Sequence, residues 1–263
     1  MIWSRRVALN GVQLDEVDPS IVIQSIEPAD GRDNISAVGS AYGYGQRITG
    51  IRRDTLDINI KFSIDIRKDN MAGRAAVLEA VNAWAATAAD GAWLTVNYKE
   101  NRRLWVTMAQ VPGEGSLWDW AREYQLTFRA YAVPYWEDET ATQAVSAVAS
   151  SGGMTLAVPG NTKSVAEIKV ANKSGASITT VSVTVDGQTM AFSGIVLGGS
   201  QTLVIDHVLS GSLYYLRARI GSTSVLAKRT GANDFSVKPG NRSISWSASR
   251  AVQVTASVRG RYL

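Results

Sequence analysis

The side chains that could carry catalysis are few, and their spacing does not favour it. The chain has one histidine, His207, and no cysteine among its 263 residues. A zinc site built from several imidazoles or thiolates is therefore excluded, as are disulfides and a cysteine nucleophile, and Asp206 beside His207 does not by itself make a metal centre. A serine triad would have to recruit His207, yet Ser200 sits in Gly198-Gly199-Ser200-Gln201-Thr202, which is not the G-x-S-x-G elbow. Gly43 and Gly45 lack the third glycine of a dinucleotide loop, and no Walker sequence is present. Three consecutive acids, Glu137, Asp138 and Glu139, could be imagined as catalytic carboxylates. They follow Pro134-Tyr135-Trp136 and read as solvated residues of a linker, with nothing apolar around them to raise a pKa. His207 reads as structural or solvent-exposed at a strand end. No catalytic, cofactor-binding or metal-binding residue is expected, and no cofactor. A cell-wall glycosidase is the enzymatic alternative, because its carboxylate pair needs no local motif.

A different segment has the composition of a contact surface. Gly39 to Asp54, GSAYGYGQRITGIRRD, holds four glycines, two tyrosines and three arginines. Glycine supplies backbone freedom, while Tyr and Arg supply contact area and hydrogen-bond donors. The segment is expected to be an exposed loop or hairpin, with Tyr42, Tyr44, Arg47, Arg52 and Arg53 as its contact candidates.

The elements that position these groups fall into two modules. Residues 1–140 carry 15 Lys/Arg against 19 Asp/Glu, and residues 141–263 carry 12 against 4, so an acidic half precedes a basic one. Seven of the eight tryptophans lie in the first part; Trp246 is the exception. The positive residues of the second half are scattered singly, without an aromatic platform, which argues against a nucleic-acid groove. With 45% apolar and 19% charged residues, a packed core is expected in both parts. No run approaches the ~18 apolar residues of a membrane span, and MIWSRRVALNG lacks the apolar core of a signal peptide.

In the first module, Leu56, Ile58, Ile60, Phe62, Ile64 and Ile66 alternate with polar residues, which predicts a long strand with one buried face. Residues 71–89 switch to helical spacing, with Val77, Leu78, Val81, Trp84, Ala85 and Ala88 as the core stripe. Asp69 and Asn70 are candidate N-caps, and Gly91 is a natural stop. Further strands are expected at Arg5–Leu9, Ile21–Ile26, Trp93–Tyr98, Leu104–Met108 and Tyr124–Tyr131, with a hairpin turn at Lys99–Arg103. The junction is placed at Pro134–Glu139, giving domains 1–137 and 138–263.

The second module has no helical stripe. Strands are expected at Val165–Val170, Thr179–Val185, Met190–Phe192, Gln201–Asp206, Leu213–Ile220, Ser243–Ser247 and Val252–Arg259. Asp186-Gly187 is the strongest hairpin signal of the chain. Many short strands with frequent turns predict a β-sandwich.

The order of these elements resembles the distal tail (Dit) proteins of long-tailed bacteriophages. The resemblance rests on the alternating strand Leu56–Ile66 running into a helix with Asn82-Ala83-Trp84-Ala85, on Pro134-Tyr135-Trp136 followed by acids, and on a second module in which VTVDGQTMAFSGIVLGGSQTLVID (Val183–Asp206) precedes PGNRSISWSAS (Pro239–Ser249) and VRGRYL (Val258–Leu263). It implies a mostly β fold: a tail-tube-like β-barrel or sandwich with one helix, then a galectin-like β-sandwich. It also implies a homohexameric ring at the tail tip of the virion, made in the host cytoplasm and built through the first domain. Such a ring joins the tail-tube protein to the tail-tip hub proteins, holds receptor-binding proteins or fibres in some members, and passes DNA through its channel. Tyr42, Tyr44, Arg47, Arg52 and Arg53 then become candidate subunit contacts. The galectin sugar motif H-x-N-x-R is missing, since His207 leads into Val208-Leu209-Ser210-Gly211. A carbohydrate- or receptor-binding module of a tail tip, with Trp246 as its aromatic, is the alternative reading.

Overall fold

The computed structural model describes residues 5–28, 55–66, 70–112 and 123–263 in full, and residues 33–39 and 46–53 by their backbone. Contacts divide the chain into two compact units: Met1–Tyr135 with Ser210–Leu213, and Trp136–Leu209 with Tyr214–Leu263. Both are mostly β.

The first unit opens with β1 (Val7–Leu9) and β2 (Val12–Gln13). Asn10 and Gly11 join them with φ of 48° and 88°, the left-handed pair that a two-residue type I′ hairpin requires. Then follow α1 (Leu14–Val17), β3 (Ile21–Pro28), β4 (Asp33–Gly39), β5 (Gln46–Arg53), β6 (Leu56–Ile64), α2 (Met71–Ala86), β7 (Ala92–Val96), β8 (Arg102–Gln110) and β9 (Tyr124–Ala130). The strands run β2-β1-β7-β8-β9-β6-β3 in one antiparallel sheet. β6 keeps the expected alternation, with Leu56, Ile58, Ile60, Phe62 and Ile64 buried. It ends at Ile64, short of the expected Ile66. Its partner β3 begins opposite Ile64 at Ile21, and the next amide, Asp65 N–H, donates to the Ser20 carbonyl.

α2 lies on the apolar face of this sheet. Asn70 Oδ1 caps it by accepting the Gly73 N–H at 2.9 Å. Val77, Leu78, Val81, Trp84 and Ala85 form its buried stripe. Trp84 meets Phe128 edge-on at 5.9 Å, and its indole N–H donates to the Val12 carbonyl at 3.0 Å. The helix stops at Ala86, three residues before the expected end. Thr87 turns its hydroxyl back to the Trp84 carbonyl at 2.7 Å, and the chain leaves through Gly91 at φ 97°. β7 and β8 pair as the expected hairpin, Leu94 opposite Leu104 and Trp93 opposite Trp105.

The second unit comprises β10 (Trp136–Asp138), β11 (Thr142–Val145), β12 (Ala149–Val158), β13 (Ser164–Asn172), β14 (Ile178–Val185), β15 (Gln188–Leu197), β16 (Thr202–Ser210), β17 (Leu213–Ile220), β18 (Thr223–Ser224), β19 (Arg229–Gly231), β20 (Ser236–Val237), β21 (Gly240–Val258) and β22 (Arg261–Tyr262). Its main sheet runs β18-β17-β16-β13-β21-β14-β15-β19, with β11 and β12 also on β21 and β20 on β13. Asp186 and Gly187, at φ 49° and 82°, close the β14–β15 hairpin as a two-residue turn.

β21 organises this unit. Two strands were expected there, Ser243–Ser247 and Val252–Arg259, but the backbone runs through as one strand of 19 residues. Its first half pairs with β12 and β14 and its second half with β11 and β13. Ile244, Trp246, Val252, Val254, Ala256 and Val258 all enter one core, together with inward residues of β12 to β17. A sheet whose strands all turn one face to a single cluster must curl around it. The Ser-Ala-Ser-Arg stretch in the middle of β21 reads as a break because it carries little apolar signal; Ser247 and Ala248 pair with β14, and the ladder to β12 shifts register across the stretch.

Candidate assembly surface

β4 and β5 form a two-stranded antiparallel sheet of their own. They are inserted between β3 and β6, which pair with each other up to Pro28 opposite Ile58. Among the described residues this hairpin pairs with no third strand. Arg47, Arg52 and Arg53 lie on β5, opposite Val38, Asn34 and Asp33 respectively. Tyr42 and Tyr44 fall outside the described residues. The expected loop or hairpin at Gly39–Asp54 is thus the returning strand of a hairpin that starts at Asp33. A two-stranded hairpin is at best marginally stable in water, because it has no second layer to bury a face against.

Among the described residues β3 is the end strand of the first sheet and pairs with β6 alone. Its ladder shifts between Ile23 and Ser25, a bulge that blunts the edge. The outward face of β6 and β9 carries a polar ladder. Arg129 grips Asp57 through two hydrogen bonds of 2.5 and 2.6 Å. Thr127 donates to Asn59 at 2.9 Å, and Lys61 lies between Glu123 at 3.6 Å and Glu27 at 3.9 Å. The hydrogen bond to Asp57 holds the Arg129 guanidinium well above its ordinary pKa. The exposed ion pairs of Lys61 add little to stability.

The acids at 137–139 require a correction. Glu137 and Asp138 do not belong to a solvated linker: Trp136–Asp138 is strand β10, paired with β22 through Trp136–Tyr262 and Glu137–Arg261, while Glu139 beyond it is exposed. Glu137 and Arg261 are both buried, and Arg261 Nε donates to Glu137 Oε1 at 2.8 Å. The other arm of the guanidinium donates to the Tyr214 hydroxyl at 3.0 Å. Burial pulls the Arg261 pKa down, but Glu137 and Tyr214 more than offset this and leave it raised. Tyr214 is pushed up to about 12, chiefly by burial. His207 is likewise not at a strand end. It lies within β16, stacked on Tyr214 with ring centroids 4.8 Å apart and planes 20° apart. Burial lowers its pKa. Nearby, Arg217 grips Asp206 through bonds of 2.9 and 2.7 Å, and burial, then Asp206, raises the Glu167 pKa. No signal in the sequence marks Tyr214 or Arg261, since their partners are 47 and 124 positions away.

In this cluster Arg261 links Glu137 to Tyr214 through hydrogen bonds. A carboxylate already neutralised by a buried guanidinium is a poor base or nucleophile. Among the described residues, no three His, Asp or Glu side chains approach closely enough to hold a metal. Trp246, the aromatic assigned to a sugar platform, is 6% exposed and faces the core. No helix among the described residues is long and apolar enough to cross a membrane.

No protein-family model and no curated protein sequence matches the chain. Solved structures do. The Dit (gp 19.1) protein of phage SPP1, described as a paradigm of the hub adsorption apparatus in phages infecting Gram-positive hosts, superposes with a TM-score of 0.67 at 11% identity, over 98% of this chain and 99% of that one. A chain of the phage P2 baseplate in its activated conformation with Ca gives 0.51 at 8% identity, over 97% and 98%. At such identities the likeness is one of fold, and it runs the length of both units.

Proposed function

With the fold of a phage distal tail protein as premise, we propose that this chain is a structural, non-enzymatic component of a phage tail tip. Six copies form a ring through residues 1–137. The ring joins the tail-tube protein to the tail-tip hub proteins and leaves a channel for DNA. Residues 138–263 form a galectin-like sandwich that faces other tail proteins, including a receptor-binding protein or fibre. The protein is made in the host cytoplasm and ends in the virion.

The observation that carries this reading is the end-to-end correspondence with the SPP1 Dit protein, 98% of one chain on 99% of the other. Shared cores alone can bring unrelated proteins together, but a match in which neither chain leaves a domain over points to a common plan for the whole molecule. The β4–β5 hairpin supports it. A closed ring needs a heterologous interface that repeats around an axis, and a hairpin that among the described residues pairs with no third strand is suited to add to the next copy. The acidic balance of the first half suits a channel wall that repels DNA and lets it slide.

Negative-stain microscopy with light scattering on the purified protein tests the proposal. Rings of six are expected, alone or after addition of the tail-tube protein. A strict monomer at high concentration, with no ring after that addition, overturns it.

A further inference from the structure

His207 is the chain's one histidine, and the proposed function has no use for it. Its Nδ1 is closed off from solvent and has no hydrogen-bond partner. With the one N–H of a neutral imidazole on Nε2, Nδ1 is an unfilled lone pair. A proton placed on Nδ1 would instead be a buried N–H donor without an acceptor, on a ring that now carries charge. The ring is also a structural piece. It stacks on Tyr214, whose hydroxyl accepts from Arg261, whose guanidinium holds Glu137. Arg261 and Glu137 face each other in the β10–β22 ladder, next to Trp136 and Tyr262.

We propose that His207 is an acid-operated latch: protonation drives the imidazole off Tyr214, and the β10–β22 strand pair loosens. The inference rests on the second unit alone and does not depend on the tail-tip reading.

The charges that act on the imidazole come from three places. Asp206, on the same strand, favours a proton but is committed to Arg217 through two hydrogen bonds. Asp234, between β19 and β20, also favours it. Arg261 on β22 opposes it, and burial opposes it most. Tyr214 on β17 stays neutral well above physiological pH, so it offers no compensating anion. Behind these, Glu137 on β10 is already paired with Arg261, and Glu167 on β13 acts on Tyr214. The folded pKa of His207 is therefore depressed below the unfolded value of about 6.5. Its contribution to stability is fully present above that value and is lost as pH falls through the folded pKa.

With a single histidine, one imidazole signal in the NMR spectrum reports this group alone. In the intact protein, the imidazole is expected to titrate below pH 6.5. The amides of residues 136–138 and 260–262 should shift with the same midpoint. Hydrogen exchange at those amides, corrected for intrinsic rates, should lose at least tenfold protection between pH 7.5 and pH 5.0. His207→Phe keeps a ring on Tyr214 without a titrating nitrogen, and should retain its protection at both pH values. The latch is overturned if the wild-type amides do not follow the imidazole midpoint. It is equally overturned if His207→Phe loses the same protection, which would assign the effect to the carboxylates. Should His207→Phe fail to fold, the wild-type NMR midpoints decide alone.

Discussion

Glu137 and Arg261 lie 124 positions apart and meet in a buried, hydrogen-bonded pair. Removing one member leaves the other charge buried without compensation. Arg261→Ala is expected to destabilise the second unit by about 3–5 kcal/mol, measured by chemical denaturation. Replacing both, Glu137→Leu with Arg261→Met, should restore most of that loss, because the cost lies in the orphaned charge rather than in the missing pair. Gly152 shows a second residue-scale constraint. It stands directly opposite Trp246 in the β12–β21 ladder, and a Cβ there would run into the indole ring. Gly152→Ala should cost about 1–3 kcal/mol, the range for overpacking. The same change at Gly153, where a Cβ meets nothing closer than ordinary contact, should be nearly silent.

Among the elements, α2 and the β4–β5 hairpin differ in what holds them. α2 is anchored in its own chain by Trp84, which fills the space against Phe128 and ties its indole to β2. Trp84→Ala should cost about 3–5 kcal/mol in the melt of the first unit. The hairpin pairs only with itself among the described residues. If it makes the subunit contact, Arg52→Glu with Arg53→Glu should weaken ring formation in light scattering at least tenfold. The monomer melt should change by less than about 0.5 kcal/mol. An equal loss of monomer stability would make the hairpin part of the fold instead. Periodicity located α2, and a Gly-Tyr-Arg composition marked the returning strand of the hairpin but not β4. It did not locate β11 and β12. Ser151-Gly152-Gly153 has no apolar alternation, and that segment is a strand because β21 offers it a ladder.

For the whole molecule, the formal charge of +4 conceals an acidic half and a basic half. If the first half lines a channel, the protein should not grip DNA. Duplex DNA is expected to migrate unchanged in a gel-shift assay at ~0.1 M salt, where charges beyond about 10 Å are screened. A retarded band that disappears with added salt would return the basic half to a nucleic-acid role.

Local pattern was enough for what depends on neighbours in the chain: the β6 alternation, the α2 stripe and its Asn70 cap, the Asp186-Gly187 turn, and the absence of cysteine and of a second histidine. These follow from the 2.0 and 3.6 periods and from backbone sterics, which act over a few residues. The order of such elements sufficed for the resemblance to distal tail proteins, which the fold bears out. Tertiary structure decided what depends on partners far away. It turned Glu137–Glu139 from a presumed linker into a sequence led by a buried strand, joined β21 through its polar middle, and put Trp246 in the core. It also gave the lone His207 a ring to stack on. In each case the deciding group is a distant one, so no window along the chain contains the answer.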